Sequence, residues 1–443
     1  MLAKTFRGGV HPKDKKELSQ DSEIIRLEAK GELVFPMNQH IGAPAKPIVA
    51  PGDRVLLGQK IAEAGGFVSA AIYSSVSGTV KAVAPHLNQS GDEAPAITIE
   101  NDCEYEAVEG FGEPRDFDKM SREEIIKAIS DAGIVGMGGA GFPTAVKLSV
   151  KDGVKIDYII CNAAECEPYI TCDYRLMLER PDDAVLGMKI LLKVFPEAKG
   201  VFGIEDNKPL GIEAVEKACC GSQKIDVLPL KKKYPQGGER MIIYAVTKRK
   251  INSKMLPADA GCVVINFSTL IAIAEAVSQN MPLVRRVVTV TGEAIKNPSN
   301  FDVPIGISSK ELVDAAGGFV KDPEKIIFGG PMMGFAVYTL DLPVTKTSSC
   351  ILCLLIDETK NIEPTECIRC GKCLYACPEH LTPIELKNAS DRLDYKTFEA
   401  LGGLECISCG CCTFTCPAKR RLSQSITMTK RYVLAEKKKG AAK

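Results

Sequence analysis

Two stretches of the sequence carry cysteines at the same spacing, and this feature constrains the fold more than any other. Residues 367–378 and 406–417 both follow the pattern C-x2-C-x2-C-x3-C-P. In two-cluster ferredoxins with this spacing, three thiolates of one run hold a [4Fe–4S] cluster, and the fourth cysteine ligates the cluster of the other run. A zinc site would instead need pairs of ligands. The predicted ligands are Cys367, Cys370, Cys373 and Cys416 for the first cluster, and Cys406, Cys409, Cys412 and Cys377 for the second.

The residues around these ligands indicate how the chain wraps the clusters. Gly371 and Gly410 allow the backbone to approach the sulfides closely, and the proline of each run turns the chain away. A long segment separates the two runs, and it begins with a helical pattern at residues 384–389. This arrangement favours an α-helical ferredoxin domain over the compact βαβ type.

Half of the 18 cysteines lie in these two runs. In a reducing compartment, cysteines at such density are metal ligands more often than disulfides. Three cysteines outside the two predicted ligand sets are expected to be structural thiols: Cys411, which occupies an x position of the second run, and the isolated C-x2-C pair Cys350 and Cys353.

The overall composition narrows the possible partners. The 56 Lys and Arg balance the 56 Asp and Glu, which argues against a nucleic-acid partner because duplex binding needs a basic excess. No apolar run reaches the ~18 residues of a membrane-spanning helix, and the first nine residues lack the apolar core of a signal peptide. We therefore expect the chain to stay on the cytoplasmic side.

Helix and strand patterns divide the chain into parts that together make a multidomain α/β protein. Short strands between residues 42 and 83 resemble the barrel-sandwich modules of biotinyl and lipoyl carriers, but the expected hairpin tip at 64–67 has no lysine to modify. Alternating helices and strands up to residue 280 predict an α/β domain. The predicted parts are a barrel-sandwich-like β module (1–115), an α/β domain (116–283), a β-grasp insert of the soluble ligand-binding type (284–340), a connector (341–364), an α-helical two-cluster ferredoxin domain (365–422) and a basic tail (423–443).

A glycine-rich loop at residues 136–144 is the second candidate binding element. It contains a literal G-x-G-x-x-G, but a Rossmann site needs a strand before the loop and a helix after it. Here a helix is predicted at 121–132, and Pro143 follows almost at once. The loop still offers backbone N–H groups free of side chains, which suits a phosphate, and Lys147 could neutralise the charge. A plain glycine-rich turn is the alternative.

From this loop onward the sequence resembles the NADH-oxidising flavoprotein subunit of respiratory complex I. Residues 138–144 with Lys147 are similar to the flavin loop of that family, and residues 161–168 to its Asn-Ala-Asp-Glu-x-Glu-Pro strand end. Residues 234–239 and 263–269 resemble its Tyr-x-x-Gly-Glu-Glu and Asn-Asn-x-x-Thr segments. The positions that depart from these motifs are Ala164, Gly238 and Ile265.

The whole chain is more similar still to the RnfC family, which belongs to the Rnf complex, the ion-translocating ferredoxin:NAD oxidoreductase. Shared segments lie at residues 8–12, 39–44, 74–78 and 203–208, in addition to the two cysteine runs. The double ferredoxin ending separates the chain from the relative in the sodium-pumping quinone reductase, which lacks it, and from the complex I flavoprotein, which ends in one cluster.

The resemblance implies which cofactors bind and where. It implies a non-covalent FMN in addition to the two clusters, and NAD(H) as substrate. The residues implied for FMN are Gly138, Gly139, Gly141, Lys147, Asn162, Glu165, Tyr234 and Asn266, and those implied for NADH are Phe142, Glu167 and Glu239. Hydride transfer would take place at the flavin, so no side chain is expected to be catalytic.

Three functions are considered. The preferred one is a peripheral, cytoplasmic electron-transfer subunit of a membrane Rnf-type complex, in which other subunits couple ferredoxin oxidation to Na⁺ or H⁺ export. The others are a flavin-free iron–sulfur docking subunit and a soluble dehydrogenase unconnected to a membrane. The first is preferred because a nicotinamide exchanges two electrons as a hydride, whereas a cluster takes one, so a flavin must convert between them. The basic tail is either a contact for anionic lipid or an acidic partner, or a solvated charge run.

Overall fold

The computed structural model describes residues 3–89, 91–151 and 153–441. The strands are β1 (Ile24–Arg26), β2 (Leu33–Pro36), β3 (Lys46–Pro47), β4 (Arg54–Val55), β5 (Lys60–Glu63), β6 (Ile72–Tyr73), β7 (Gly78–Leu87), β8 (Glu93–Asn101), β9 (Tyr158–Ala163), β10 (Lys199–Glu205), β11 (Ile225–Leu230), β12 (Cys262–Asn266), β13 (Arg285–Thr291), β14 (Ser299–Pro304), β15 (Lys325–Phe328), β16 (Phe335–Val337) and β17 (Cys350–Leu354). The helices are α1 (Arg122–Asp131), α2 (Thr144–Leu148), α3 (Cys172–Glu179), α4 (Pro181–Val194), α5 (Pro209–Ala218), α6 (Glu239–Thr247), α7 (Phe267–Gln279), α8 (Ser309–Ala315), α9 (Lys372–Ala376), α10 (Pro383–Asp391), α11 (Tyr395–Ala400), α12 (Cys411–Phe414) and α13 (Leu422–Ala441).

The N-terminal β module consists of two small antiparallel sheets. One has the strand order β2-β8-β7-β4 and the other the order β3-β5-β6. Residues from both sheets, among them Leu33, Val55, Ile61 and Ile97, are fully buried in one hydrophobic core. The two-sheet arrangement agrees with the predicted barrel-sandwich module.

The α/β domain is built on a parallel sheet with the order β11-β10-β9-β12. Helix α1 begins with a capping box, in which Ser121 and Glu124 satisfy each other's backbone amides, and α4 begins with Pro181 in its first turn. Because all four strands run the same way, their carboxyl ends lie along one edge of the sheet. Ligands of open α/β sheets bind at this edge.

The sheet of the β-grasp insert draws on more of the chain than the predicted range. Its order is β1-β14-β13-β17-β15-β16, so it includes a strand from the N-terminal part and one from residues 341–364. That second range, predicted as a connector, thus contributes a central strand. Four successive residues of β17, from Cys350 to Cys353, are buried. A strand buried on both faces lacks polar–apolar alternation, and its sequence therefore did not reveal it.

The C-terminal part is helical, as predicted. Helices α10 and α13 pack together, and Leu386, Phe398, Ile426 and Val433 form a shared core. Residues 423–443 were predicted as a basic tail, but the described part of this segment belongs to α13, whose apolar face is buried against the ferredoxin domain. Among the described residues, no helix is long and apolar enough to cross a membrane.

Candidate functional site

The carboxyl edge of the parallel sheet brings together residues from three strands. Asn162 in β9 is the register partner of Asn266, the last residue of β12. Tyr234 lies in the segment that follows β11. The side-chain amide of Asn162 donates a 2.7 Å hydrogen bond to the carbonyl of Gly237, which ties this segment to β9. Three residues that the resemblance assigned to FMN thus lie at one edge.

The glycine loop lies against the same edge. The amide of Met137 donates to the Thr269 hydroxyl at 3.0 Å, and a Cβ at Gly138 would meet the Asn266 side chain at 2.7 Å. A Cβ at Gly139 would meet no described atom within 4 Å. The loop therefore presents exposed backbone with open space in front of it, which fits a phosphate-binding role.

Two other parts of the chain support the end of this loop. Gly141 has a φ of +70°, and a Cβ there would lie 2.8 Å from Thr347 and 3.1 Å from His40. Only glycine fits this close approach in the left-handed region. Phe142 is half-buried, and its carbonyl accepts a 2.9 Å hydrogen bond from the amide of Gly136. The N-terminal module and the segment before β17 thus shape the loop.

Lys147 and Glu239, predicted for FMN and NADH respectively, form an ion pair with each other. The Lys147 ammonium lies 3.0 Å from a carboxylate oxygen of Glu239 and also donates to the carbonyl of Val264 at 3.1 Å. The pair joins α2 to the start of α6 beside the glycine loop. A bound phosphate would therefore share this lysine with a carboxylate.

The buried side chain of Glu165 caps helix α3 and lies close to the ammonium of Lys16. Its backbone has a φ of +48°, and its Oε1 accepts a 2.7 Å hydrogen bond from the amide of Asp173 in the first turn of α3. Its Oε2 lies 3.6 Å from the ammonium of Lys16. Burial raises the pKa of Glu165, and the nearby Lys16 opposes this shift. The carboxylate thus ties the start of α3 to Lys16, and the backbone of Glu165 is held in a strained conformation at the sheet edge.

The two carboxylate oxygens of Glu167 differ in their hydrogen bonding. Its Oε2 accepts a 3.2 Å hydrogen bond from the amide of Met332, whereas its buried Oε1 has no hydrogen-bond partner among the described residues. Burial raises the pKa of Glu167 to about 7. A buried polar atom without a partner costs free energy unless a ligand or water satisfies it, so this carboxyl fits a binding pocket.

Two buried lysines that the sequence did not single out hold the loop after β9. Lys16 donates to the carbonyls of Glu167, at 3.1 Å, and Ile170. Lys208 donates to the carbonyl of Ala164 at 2.6 Å. Lys208 lies in a segment that resembles the Rnf family, but nothing distinguished Lys16 from other lysines of a polar stretch.

Tyr234 connects the sheet edge to the ferredoxin domain. Its buried hydroxyl donates a 2.9 Å hydrogen bond to the carbonyl of Cys409, and the Cys411 thiol lies 3.8 Å from the Tyr234 carbonyl. Cys166, which accepts a 3.4 Å hydrogen bond from the amide of Gly237, packs in the same hydrophobic cluster. The peptide bond between Tyr234 and the following proline is cis.

The cysteines predicted for the second cluster line one cavity, although they come from both runs. These residues are Cys377, Cys406, Cys409 and Cys412. Burial raises the pKa of Cys412 to about 12, and the neighbouring Cys409, Cys406 and Cys377 add to the shift. The amides of Leu381 and Ser408 donate 3.4 Å hydrogen bonds to Cys377 and Cys406. Four converging thiols with N–H donors to sulfur fit a [4Fe–4S] cluster.

The cysteines predicted for the first cluster lie nearer the surface. Cys367 and Cys370 are exposed, whereas Cys373 and Cys416 are half-buried. Burial raises the pKa of Cys373, and Cys416 adds to this shift, so a residue of the second run lies beside the first. Within the described residues, no three His, Cys, Asp or Glu side chains are placed to hold a single metal ion.

The loops that carry these cysteines turn at glycine. Gly371 and Gly410 have φ values of +73° and +79° and precede the short helices α9 and α12. Cys411 is fully buried, which agrees with its predicted structural role.

Sequence models of four protein families match successive parts of the chain. They describe the RnfC barrel sandwich hybrid domain (residues 4–104), the Nuo51 FMN-binding domain (129–275), the SLBB domain (287–336) and a 4Fe-4S dicluster domain (366–420). These matches confirm the predicted fold class and its order of modules.

Similar curated proteins span most of the chain. The RnfC-type protein of the Na⁺-translocating ferredoxin:NAD⁺ oxidoreductase complex of Acetobacterium woodii is 43% identical over 439 residues, which cover 98% of both chains. Its counterpart in the proton-translocating complex of Clostridium ljungdahlii is 47% identical over 382 residues, covering 86% of this chain and 83% of that protein. A crystal structure of NAD⁺-reducing [NiFe]-hydrogenase in the H₂-reduced state aligns with a TM-score of 0.49 and 18% identity, covering 71% of this chain and 61% of that one.

Proposed function

The chain belongs to the RnfC family of Rnf-type ion-translocating oxidoreductase complexes, and we propose that it carries electrons between NAD(H) and a partner subunit through FMN and two [4Fe–4S] clusters. As a member of this family it is an electron-transfer subunit of a membrane-associated complex, and the other subunits are its partners. We place it at the cytoplasmic periphery of the membrane. Ferredoxin oxidation and export of Na⁺ or H⁺ would belong to the rest of the complex.

The sheet edge and the glycine loop form the proposed flavin site. The glycine loop would hold the phosphate through the exposed Gly138 and Gly139 and the buried Gly141, and Lys147, which is now paired with Glu239, would turn to the phosphate and supply charge. The other proposed flavin contacts are Asn162, Glu165, Tyr234 and Asn266. When bound, FMN exchanges a hydride with NAD(H) and single electrons with a cluster.

The proposed nicotinamide pocket borders the same edge. Phe142 is half-buried beside the glycine loop, and Glu239 begins helix α6 next to Lys147. Glu167 contributes the buried carboxyl oxygen that lacks a partner among the described residues. Oxidation of one NADH releases NAD⁺, a proton and two electrons, so two successive one-electron transfers are needed for each turnover.

The burial of the two cysteine sets supports an order for the clusters. The second set adjoins Tyr234 and is largely buried, so we assign it as the cluster nearer the flavin. The first set includes the exposed Cys367 and Cys370, and the same run also carries the exposed Tyr375. Electrons would therefore pass from the flavin to the second cluster, then to the first, and from there to a partner.

One observation carries this proposal: four cysteines from two separate runs line a cavity that adjoins the Tyr234 segment of the sheet edge. The test is to purify the protein anaerobically, extract it with acid and identify the released flavin by chromatography. We expect FMN, together with about eight irons per chain, four for each cluster. Adding NADH should then give the EPR signals of reduced clusters.

If the chain is instead a flavin-free docking subunit, the extract should contain no FMN. A preparation that contains both clusters but neither holds nor takes up FMN would favour it over the relay. A flavin-loaded protein that does not react with NADH would place the nicotinamide site on another subunit.

A further inference from the structure

The first residues of the chain contact the parallel sheet of the α/β domain. Residues 4–19, here called the N-terminal strap, precede β1 and lie within the range predicted for the β module. Lys4 forms a bridge with Leu230 at the end of β11, and Val10 pairs with Tyr234. The strap thus runs along the carboxyl edge of the parallel sheet.

The strap and the Tyr234 segment are joined by a reciprocal pair of backbone hydrogen bonds. The amide of Val10 donates to the Tyr234 carbonyl at 2.8 Å, and the amide of Tyr234 donates to the Val10 carbonyl at 2.9 Å. Gly9 allows this approach, because a Cβ there would lie 2.6 Å from the Tyr234 carbonyl oxygen. Two hydrogen bonds between the same two residues fix their register as in an antiparallel ladder.

On its other side the strap contacts the second cysteine set. The amide of Gly9 donates a 2.9 Å hydrogen bond to the carbonyl of Ala376. Gly8 has a φ of +83°, and a Cβ there would lie 2.7 Å from the carbonyl oxygen of Cys377. Neighbouring residues of the strap therefore contact the proposed flavin side at Tyr234 and the proposed cluster side at Ala376 and Cys377.

The end of the strap is anchored beneath the loop after β9. Lys16 is buried and bonds the carbonyls of Glu167 and Ile170, and the amide of Tyr169 donates to the carbonyl of Asp14 at 2.7 Å. A buried ammonium that satisfies carbonyls and faces Glu165 at 3.6 Å is costly to remove, because its partners would be left unpaired. Besides its bridge to the end of β11, the strap is thus tied to Tyr234, to Ala376 and to the loop after β9.

We propose that the N-terminal strap is a positioning element for electron transfer, which sets the flavin-binding edge of the sheet against the second cluster. This inference rests on the proposed function. Sites that must be held to fractions of an ångström are supported by residues that do not touch the reacting atoms. Gly8, Gly9 and Lys16 are therefore assigned as positioning residues and not as ligands of any cofactor.

The test substitutes Gly8 by Ala in the full chain with its cofactors. The matched control is Gly52→Ala, because Gly52 also has a positive φ, +94°, but a Cβ there meets no described atom within 4 Å. In G8A we expect hydrogen exchange at the amides of Val10 and Tyr234 to quicken by about tenfold, which corresponds to about 1.4 kcal/mol of local stability. We also expect an altered EPR spectrum of the dithionite-reduced second cluster. G52A should match the wild type in both.

A second pair of variants keeps the test decisive if Gly8→Ala fails to fold. Lys16→Met removes the buried ammonium, whereas Lys13→Met removes an exposed one from the same stretch. K16M should quicken exchange in residues 165–170 and slow cluster reduction by NADH at least about tenfold while flavin content is retained. K13M should change neither.

The outcomes distinguish a failure of the positioning role from a failure of the proposed function. Variants G8A and K16M that match their controls in hydrogen exchange and in the EPR spectrum of the reduced second cluster would overturn the positioning role. A wild-type protein whose clusters NADH does not reduce would overturn the proposed function, while exchange and the dithionite-reduced spectrum would still decide whether the strap positions the second cluster.

Discussion

The hydroxyl of Tyr234 donates a 2.9 Å hydrogen bond to the backbone carbonyl of Cys409. Tyr234 follows strand β11 of the parallel sheet, and Cys409 is a predicted ligand of the second cluster. The tyrosine side chain is only 2% exposed, and burial raises its pKa, so the hydroxyl stays protonated and can donate. This contact joins the two proposed cofactor sites through one side chain.

Removing that hydroxyl should weaken the junction without removing either cofactor. In Tyr234→Phe the Cys409 carbonyl loses its donor, which costs about 1 kcal/mol. We expect full iron and FMN content but slower reduction of the clusters by NADH in stopped-flow absorbance. Tyr244→Phe in helix α6 is the control, and equal rates in the two variants would mean that the Tyr234 hydroxyl has no part in the transfer.

The exchange of ligands between the two runs can be tested with single cysteines. Cys377→Ser should abolish the second cluster and lower the iron content from about eight to about four per chain. The cluster at residues 367–373 and 416 should survive, with its own EPR signal. Cys411→Ser is the matched control from the same cavity, and it should keep all the iron. Loss of the first cluster in C377S would assign the ligands within each run instead.

Lys147 should contribute to flavin affinity despite its ion pair with Glu239. A hydrogen bond from a charged donor to a phosphate is worth about 1.5–3 kcal/mol, so Lys147→Met should raise the Kd for FMN by about tenfold or more. The exposed Lys151→Met is the control for a change in net charge. Fluorescence titration of flavin-depleted protein measures the affinity, and an unchanged Kd in K147M would move the phosphate away from this lysine.

Glu167 should make the stability of the protein depend on pH. Its pKa is raised to about 7 from 4.5, so the folded chain binds more protons than the unfolded chain between these values. Stability therefore falls as pH rises through this window, by an amount on the order of 3 kcal/mol. Glu167→Gln does not titrate, so its Tm should exceed that of the wild type at pH 8, with the difference shrinking toward pH 4.5. The exposed Glu197→Gln should show no such trend.

Sequence patterns predicted most of the elements that carry the site. The helix predicted at 121–132 and the cysteine spacing rest on local signals, and the structure has helix α1 and a cysteine-lined cavity at these places. The boundaries between the domains were harder to predict from the sequence. Strand β17 is buried on both faces, so its sequence resembles a short apolar linker as much as a strand.

The residues that sequence reasoning missed act through long-range contacts. Lys16 lies about 150 positions from the carbonyls that it bonds, and Gly8 lies still farther along the chain from Cys377. A lysine in a polar stretch is an ordinary surface feature, and the resemblance of residues 8–12 to the RnfC family did not indicate what Gly8 contacts. The same holds for the pair of Lys147 and Glu239, which the motifs assigned to two different ligands.

The basic residues of helix α13 differ in their surroundings: one contacts the ferredoxin domain and another faces solvent. The ammonium of Lys430 donates a 2.7 Å hydrogen bond to the carbonyl of Cys406, so this lysine lies beside the second cysteine set. Lys438 is exposed near the end of the helix. Lys430→Met removes a positive charge that favours the reduced cluster, and the potential of the second cluster should fall by tens of millivolts, the order expected for one unit charge at an effective dielectric constant of about 20. Lys438→Met should leave the potential unchanged in an EPR-monitored redox titration, and a shift of equal size in both variants would mean that only net charge matters.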